Sequence, residues 1–283
     1  MKKIENISIG IERAFYGIKN TIFSNVVIDG LEDGESAFKE CSNIEINSSE
    51  FKLRYPLWHV KNGKIYGSHM YDTCRAAMWY DESLLINKCS LYGIKAIREC
   101  KNISIEQCDI KSEEFGWKSS HIQIKDSRID SVYAFFNTDF INIENVDFKG
   151  KYSFQYCKNI IIKNSNLDTK DAFWHSENVI VENSIIKGEY LAWYAKNIKF
   201  INCKIKGTQP ICYSNGIEFV NCEFDESTDL AFEYSEVNGN IFGSIKSIKN
   251  MNKGTLMVKG NPEIIKDEYD RSGDEAKIII KRD

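Results

Sequence analysis

The sequence predicts an all-β solenoid, a parallel β-helix of eleven coils. Three observations carry that expectation: an internal repeat of 19 residues, an apolar-x-apolar alternation inside each repeat, and a column of Asn at one corner of it. The repeats start at Asn20, Asn43, Asn62, Ser83, Asn102, His121, Phe140, Asn159, Asn178, Asn197 and Gly216. From Ser83 onward every step is 19 residues; the first and third steps are 23 and 21. A fixed period near 20 marks a solenoid whose units bury their faces against their neighbours.

Each repeat reads as strand, turn, strand. The third residue after each start runs Phe23, Ile46, Ile65, Ile86, Ile105, Ile124, Ile143, Ile162, Val181, Phe200, Phe219, and the eighth is apolar in every repeat as well. Alternation of period two with β-branched residues is a strand signal, and no helical period is sustained anywhere. Leucine-rich repeats need a Leu frame that is absent, and 19 is not a multiple of the six-residue period of hexapeptide helices. Strands on adjacent coils then stack about 4.8 Å apart. The fifth position carries Asn25, Asn145, Asn164, Asn183, Asn202 and Asn221. Asn tolerates the left-handed backbone of a tight corner. The sixth position is small (Ser49, Ser68, Cys89, Cys108, Ser127, Ser165, Ser184, Cys203, Cys222) and is expected to face inward.

Residues 1–19 are expected to form an N-terminal cap strand, 20–234 the β-helix, and 235–283 a degenerate final coil and cap, all within one domain. Caps are needed because an open coil exposes sheet edges. The nine cysteines alternate with Ser in shared columns, are odd in number and form no CxxC pair. They read as small buried residues rather than a disulfide or zinc framework, so no metal or cofactor is expected. Acidic and basic residues nearly balance, 41 against 37, without a basic stripe, which argues against nucleic acid. The start "MKKIENISIG" lacks an apolar leader core, and no segment reads as a membrane span, so a cytoplasmic location is expected.

Function is expected in the second half of the repeat. One column reads Lys39, Trp58, Trp79, Arg98, Trp117, Phe136, Gln155, Trp174, Trp193, Cys212 and holds all five tryptophans. Its neighbour reads Glu40, His59, Tyr80, Glu99, Lys118, Asn137, Tyr156, His175, Tyr194, Tyr213. Lys39, Arg98 and Gln155 do not belong unpaired in a dry interior, so the column is expected to face outward as a ligand-binding strip. Flat rings suit the apolar faces of sugars, and Arg, His and Glu suit hydroxyls or carboxylates. The competing reading is an inward packing ladder or a homo-oligomer contact. The two inserted stretches, "LEDGESAFKE" and "YDTCRAAMWY", bracket Trp58 and His59 and are expected to bring Arg54, Asp72, Arg75, Trp79 and Arg98 together. Arginines beside rings can clamp an anion bidentately, unless Arg75 pairs with Asp72 or Glu35. A polysaccharide lyase or glycoside hydrolase is the alternative. Two carboxylates on neighbouring coils are the requirement for hydrolysis, and Asp171 with Glu189 is the candidate pair, followed by Asp229 and Glu233. A lyase would draw its base from Arg75 or Arg98.

The segments "GIERAFYG", "DGESAFKE", "RYPLWHVKN", "CRAAMWYD", "DAFWHSENV", "GEYLAWYAKN" and "LAFEYS" resemble a bacterial β-helix family catalogued as domain-of-unknown-function family 3737. The resemblance covers nearly the whole chain. It implies a single-stranded right-handed β-helix, similar in shape to pectin lyases, and it supplies no activity and no catalytic residue. The partner expected from the residues is a glycan or small anionic ligand, with no nucleic acid and no membrane; homo-oligomerisation stays open.

Overall fold

The structure is a computed structural model that describes residues 1–31 and 35–281. It is an all-β, right-handed parallel β-solenoid of about 15 turns with a repeat of ~19 residues. Two compact units divide it, Met1–Asp147 and Phe148–Asp283.

In the first unit the principal strands, among them Lys19–Ile28, Ser42–Asn47, Lys61–Tyr66 and Glu82–Asn87, pair in parallel from coil to coil. The register matches the repeat: Phe23 faces Ile46, Ile46 faces Ile65, and Ile65 faces Ile86. These side chains are at most 1% exposed. A period-two strand sends alternate side chains to opposite faces, so one column becomes core and its neighbours become surface. Short strands Leu57–Trp58, Met78–Trp79 and Ile97–Arg98 form a separate face of the coil.

The second unit repeats this logic. Ile162, Val181, Phe200 and Phe219 align in successive strands, with Leu167, Ile186, Ile205 and Phe224 on the next face. Its interior is filled by phenylalanines; Phe154 and Phe173 stack at 5.0 Å, and Phe200 and Phe219 at 5.3 Å.

The corner Asn column behaves as its chemistry dictates. Asn25, Asn145, Asn183, Asn202 and Asn221 have φ of 50–54°. Their amides bond along the stack, Asn202 Nδ2 to Asn183 Oδ1 at 3.1 Å and Asn221 Nδ2 to Asn202 Oδ1 at 3.0 Å. A second Asn ladder, not anticipated, runs through the repeat starts: Asn43 to Asn20 and Asn62 to Asn43, each at 3.2 Å. The small sixth column is buried and does more than save space. The Cys108 amide N–H donates to Ser127 Oγ at 3.0 Å, and Ser127 Oγ donates to the Lys125 carbonyl at 2.7 Å. Ser and Cys therefore satisfy inward-facing backbone groups that no strand partner reaches.

The coil count exceeds the eleven read from the repeat. Lys2–Ile9 pairs with the next strand at an offset of 19, Lys2 facing Thr21 and Ile4 facing Phe23, so this segment forms a coil of its own. Beyond residue 235, Val237–Gly243, Gly254–Lys259 and Ala276–Lys281 also stack in parallel. The pattern fades there because the pairing shifts at a bulge between Phe219 and Cys222, which puts Gly239 opposite Phe219. Gly239 has φ 116°, and a Cβ on it would lie 1.9 Å from the Phe219 carbonyl oxygen. Only glycine fits, and the apolar signature is lost with it.

Candidate functional site

The site grows from a corner at the end of the short third strand. His59, Tyr80, Glu99, Lys118 and Asn137 in the first unit, and Tyr156, His175, Tyr194 and Tyr213 in the second, have φ between 51° and 59°. At this corner the left-handed residue turns the chain, at a cost of about 1–2 kcal/mol for a non-glycine, and its side chain lies on the surface. Contact between side chains on successive coils offsets that cost.

In the first unit the tryptophan column is a continuous stack. Lys39 Nζ lies 4.5 Å above the Trp58 ring. Trp58 stacks on Trp79 at 5.6 Å and 11°. The Arg98 guanidinium lies 5.7 Å from both Trp79 and Trp117. His59 and Tyr80 form a parallel pair beside it at 5.1 Å. In the second unit Trp174 and Trp193 are 5.3 Å apart and parallel within 2°. Tyr156, His175, Tyr194 and Tyr213 continue at 4.7, 5.0 and 5.0 Å.

All five tryptophans are half-buried, and the neighbouring Tyr and His column is exposed, so the strip faces solvent and the core belongs to Phe. One expectation is corrected. The stacked rings do not offer their facing surfaces to a sugar, because Trp58 and Trp79, Trp174 and Trp193, and Tyr156, His175, Tyr194 and Tyr213 cover one another from coil to coil. What reaches solvent is the edge. An aromatic edge is the electropositive rim of the ring, and in the exposed Tyr and His column it carries phenol O–H and imidazole groups.

The other predicted residues fall as follows. Arg54 pairs with Glu35 at 2.7 Å and stands over Tyr55, beside Trp58 and Trp79. Arg75 is exposed and, among the described residues, ion-pairs with neither Asp72 nor Glu35. Asp72 lines a different groove, with Lys111 and Asp130, so the second insertion does not deliver it to the tryptophans. Residues 32–34 of the first insertion lie outside the described residues.

The carboxylate candidates are dispersed. Asp171 and Glu189 are on successive coils, the Asp171 amide N–H donating to the Glu189 carbonyl at 2.9 Å. Asp171 is 5% exposed, and burial raises its carboxyl pKa, opposed by Lys170 and Lys151. Glu189 is held by Lys170 at 2.6 Å on the wall of a groove of about 500 Å³ that Lys187, Lys206 and Asp225 also line. Asp229 is bound by Lys246 at 2.7 Å and Ser247 at 2.6 Å, which holds its carboxyl below the usual range. Glu233 is paired with Lys249 at 2.9 Å.

The repeat alignment passed over one residue. Asp81 occupies the inward column of Cys41, Cys100 and Ser119, and it is 1% exposed. One oxygen accepts the Val60 amide N–H at 2.7 Å; the other is buried without a hydrogen-bond partner among the described residues. Burial pushes this carboxyl well above its ordinary range. An acid among Cys and Ser in one column was the available signal.

These features define a parallel β-helix with an outward aromatic corner. Over residues 2–280 the chain matches the family described as Protein of unknown function (DUF3737), and it belongs to that family. No curated protein matches the sequence. Among solved structures, the chain is similar to the A-module of mannuronan C-5 epimerase AlgE6 of Azotobacter vinelandii, at 11% identity and TM-score 0.30, covering 94% of this chain and 75% of that one. It is also similar to a tailspike protein mutant of E. coli bacteriophage HK620 in complex with a pentasaccharide, at 9% identity and TM-score 0.31. That match covers 98% of this chain and 56% of the tailspike. A third likeness is to PfbA, a surface adhesin of Streptococcus pneumoniae, at 12% identity and TM-score 0.28, covering 93% and 69%.

Proposed function

We propose that this protein is a binding module for a carbohydrate-like, acceptor-rich ligand, and that the ligand lies along the aromatic and arginine corner. The observation that carries this reading is the edge-outward stack of Trp, Tyr and His at one coil spacing, with Lys39 and Arg98 built into it. Exposed rings cost little to order on binding because stacking already holds their rotamers. Their positive edges and N–H and O–H groups favour hydroxyls and carboxylates over apolar surfaces.

Binding is favoured over hydrolysis because Glu189, Asp229 and Glu233 are each tied to a lysine, so none of these candidates is free to share the work with Asp171. The test is tryptophan fluorescence of the native protein, with acrylamide quenching, titrated with acidic and neutral oligosaccharides. Efficient quenching that a glycan protects against is the expected result. Emission that no glycan moves, in the presence of such quenching, overturns the reading.

A further inference from the structure

Three of the five tryptophans obey one rule. The indole N–H of Trp117 donates to the Tyr133 carbonyl, that of Trp174 to Tyr190 at 2.7 Å, and that of Trp193 to Gln209 at 2.8 Å, each sixteen residues ahead. Trp58 and Trp79 depart from it: both Nε1 atoms are buried and neither has a hydrogen-bond partner among the described residues. Arg98, whose guanidinium sits against the Trp79 ring, has two further buried nitrogens, Nε and Nη1, in the same condition. Glu99 lies 3.3 Å from Nε and Glu114 3.8 Å from Nη1, yet neither forms a hydrogen bond. Two unmet indole donors and a guanidinium held by ion pairs that lack hydrogen-bond geometry thus gather on one stack, against the strong tendency of buried polar groups to be hydrogen-bonded.

We propose that the Trp58–Trp79–Arg98 cluster is the binding site for a carboxylate borne by an acidic glycan. The inference rests on the binding role above and narrows its ligand to uronate-like sugars. Donors without acceptors call for an acceptor-rich group, and indole N–H groups beside a guanidinium supply the charge-assisted bonds that a carboxylate takes. Local charge limits the anion. Lys39, Lys95 and Arg98 stand against Glu99 and Glu114, and Arg54 is neutralised by Glu35. Among these side chains the cations outnumber the carboxylates by one, which suits an anionic group. His59 and Tyr80, stacked alongside, offer hydrogen-bonding edges for the sugar hydroxyls.

The experiment is calorimetric titration of the full chain with a uronic-acid tetrasaccharide, its carboxyl-reduced neutral counterpart, and sodium sulfate. The uronate is expected to bind at least tenfold more tightly than the neutral sugar. The double variant Trp58→Phe/Trp79→Phe removes both indole donors and keeps a smaller aromatic ring at each level of the stack. It is expected to weaken uronate binding on the order of tenfold or more, and neutral-sugar binding by clearly less. Arg98→Gln is expected to abolish the discrimination even if its stack loosens. Equal binding of acidic and neutral sugars, or a double variant that binds uronate like the parent, overturns the carboxylate site while the aromatic-face reading stands. Sulfate binding as tightly as the uronate overturns the glycan assignment. No binding of either sugar overturns both readings.

Discussion

Replacing Asp81 by Asn exchanges one buried oxygen for an NH₂ of nearly the same size. In the parent, one oxygen serves the Val60 amide N–H and the other is sealed in without a partner. The ionised form is therefore poorly solvated, and the folded-state pKa lies well above the ordinary carboxylate value. The sign follows directly. A raised folded pKa means that Asp81's contribution is fully present below its unfolded value, about 3.9, and is lost as pH rises toward the folded value. Between those two values the parent loses about 1.4 kcal/mol of stability per pH unit relative to a side chain that does not titrate. In Asp81→Asn the amide oxygen keeps the Val60 bond. The new NH₂ adds a donor where neighbours in the column already donate inward, as Ser119 Oγ does to the Trp117 carbonyl at 3.1 Å. Urea unfolding of both proteins from pH 4 to pH 8 measures the difference. The variant is expected to match the parent near pH 4 and to gain on it as pH rises, and the pH where the gap stops growing reads the folded-state pKa. A gap that is flat with pH refutes the claim that Asp81 is buried as the neutral acid.

Tyr194→Ala removes stacking with His175 and Tyr213 at 5.0 Å each and is expected to cost about 1–3 kcal/mol in urea unfolding. Tyr194→Gly should be less harmful than Ala by about 1 kcal/mol, because φ is 57° there; the reverse order would contradict the corner argument. Gly239→Ala is expected to destabilise by more than about 2 kcal/mol, since its Cβ would meet the Phe219 carbonyl oxygen at 1.9 Å. All nine cysteines are free and buried, and burial pushes the Cys41 and Cys212 thiols up to about 12. Native protein is therefore expected to be inert to a disulfide reagent at pH 8 and to release nine equivalents when unfolded; rapid native reaction would contradict the inward placement.

Much of this molecule is written in its period. Two apolar columns recurring every 19 residues fix the strands, their parallel register and their inward faces, since each coil can bury its apolar side only against the next. The Asn at the fifth position foretells the corner because Asn is several-fold enriched among the non-glycine residues that adopt that backbone. The same period also places Trp58, Trp79, Arg98 and Trp117 in one column, which is why the site region was legible. The tail was not, because a single bulge and Gly239 break the pattern while leaving the backbone pairing intact.

Orientation and hydrogen bonding were decided by the tertiary structure alone. A column alignment says that rings are neighbours along the coil axis; it does not say whether they show faces or edges. The coil rise decides that, because rings about 5 Å apart cover one another and leave their rims to solvent. Nor does the sequence distinguish Trp79 from Trp117. Only the positions of backbone carbonyls around each ring determine that one indole N–H is satisfied by the fold and the other has no hydrogen-bond partner among the described residues.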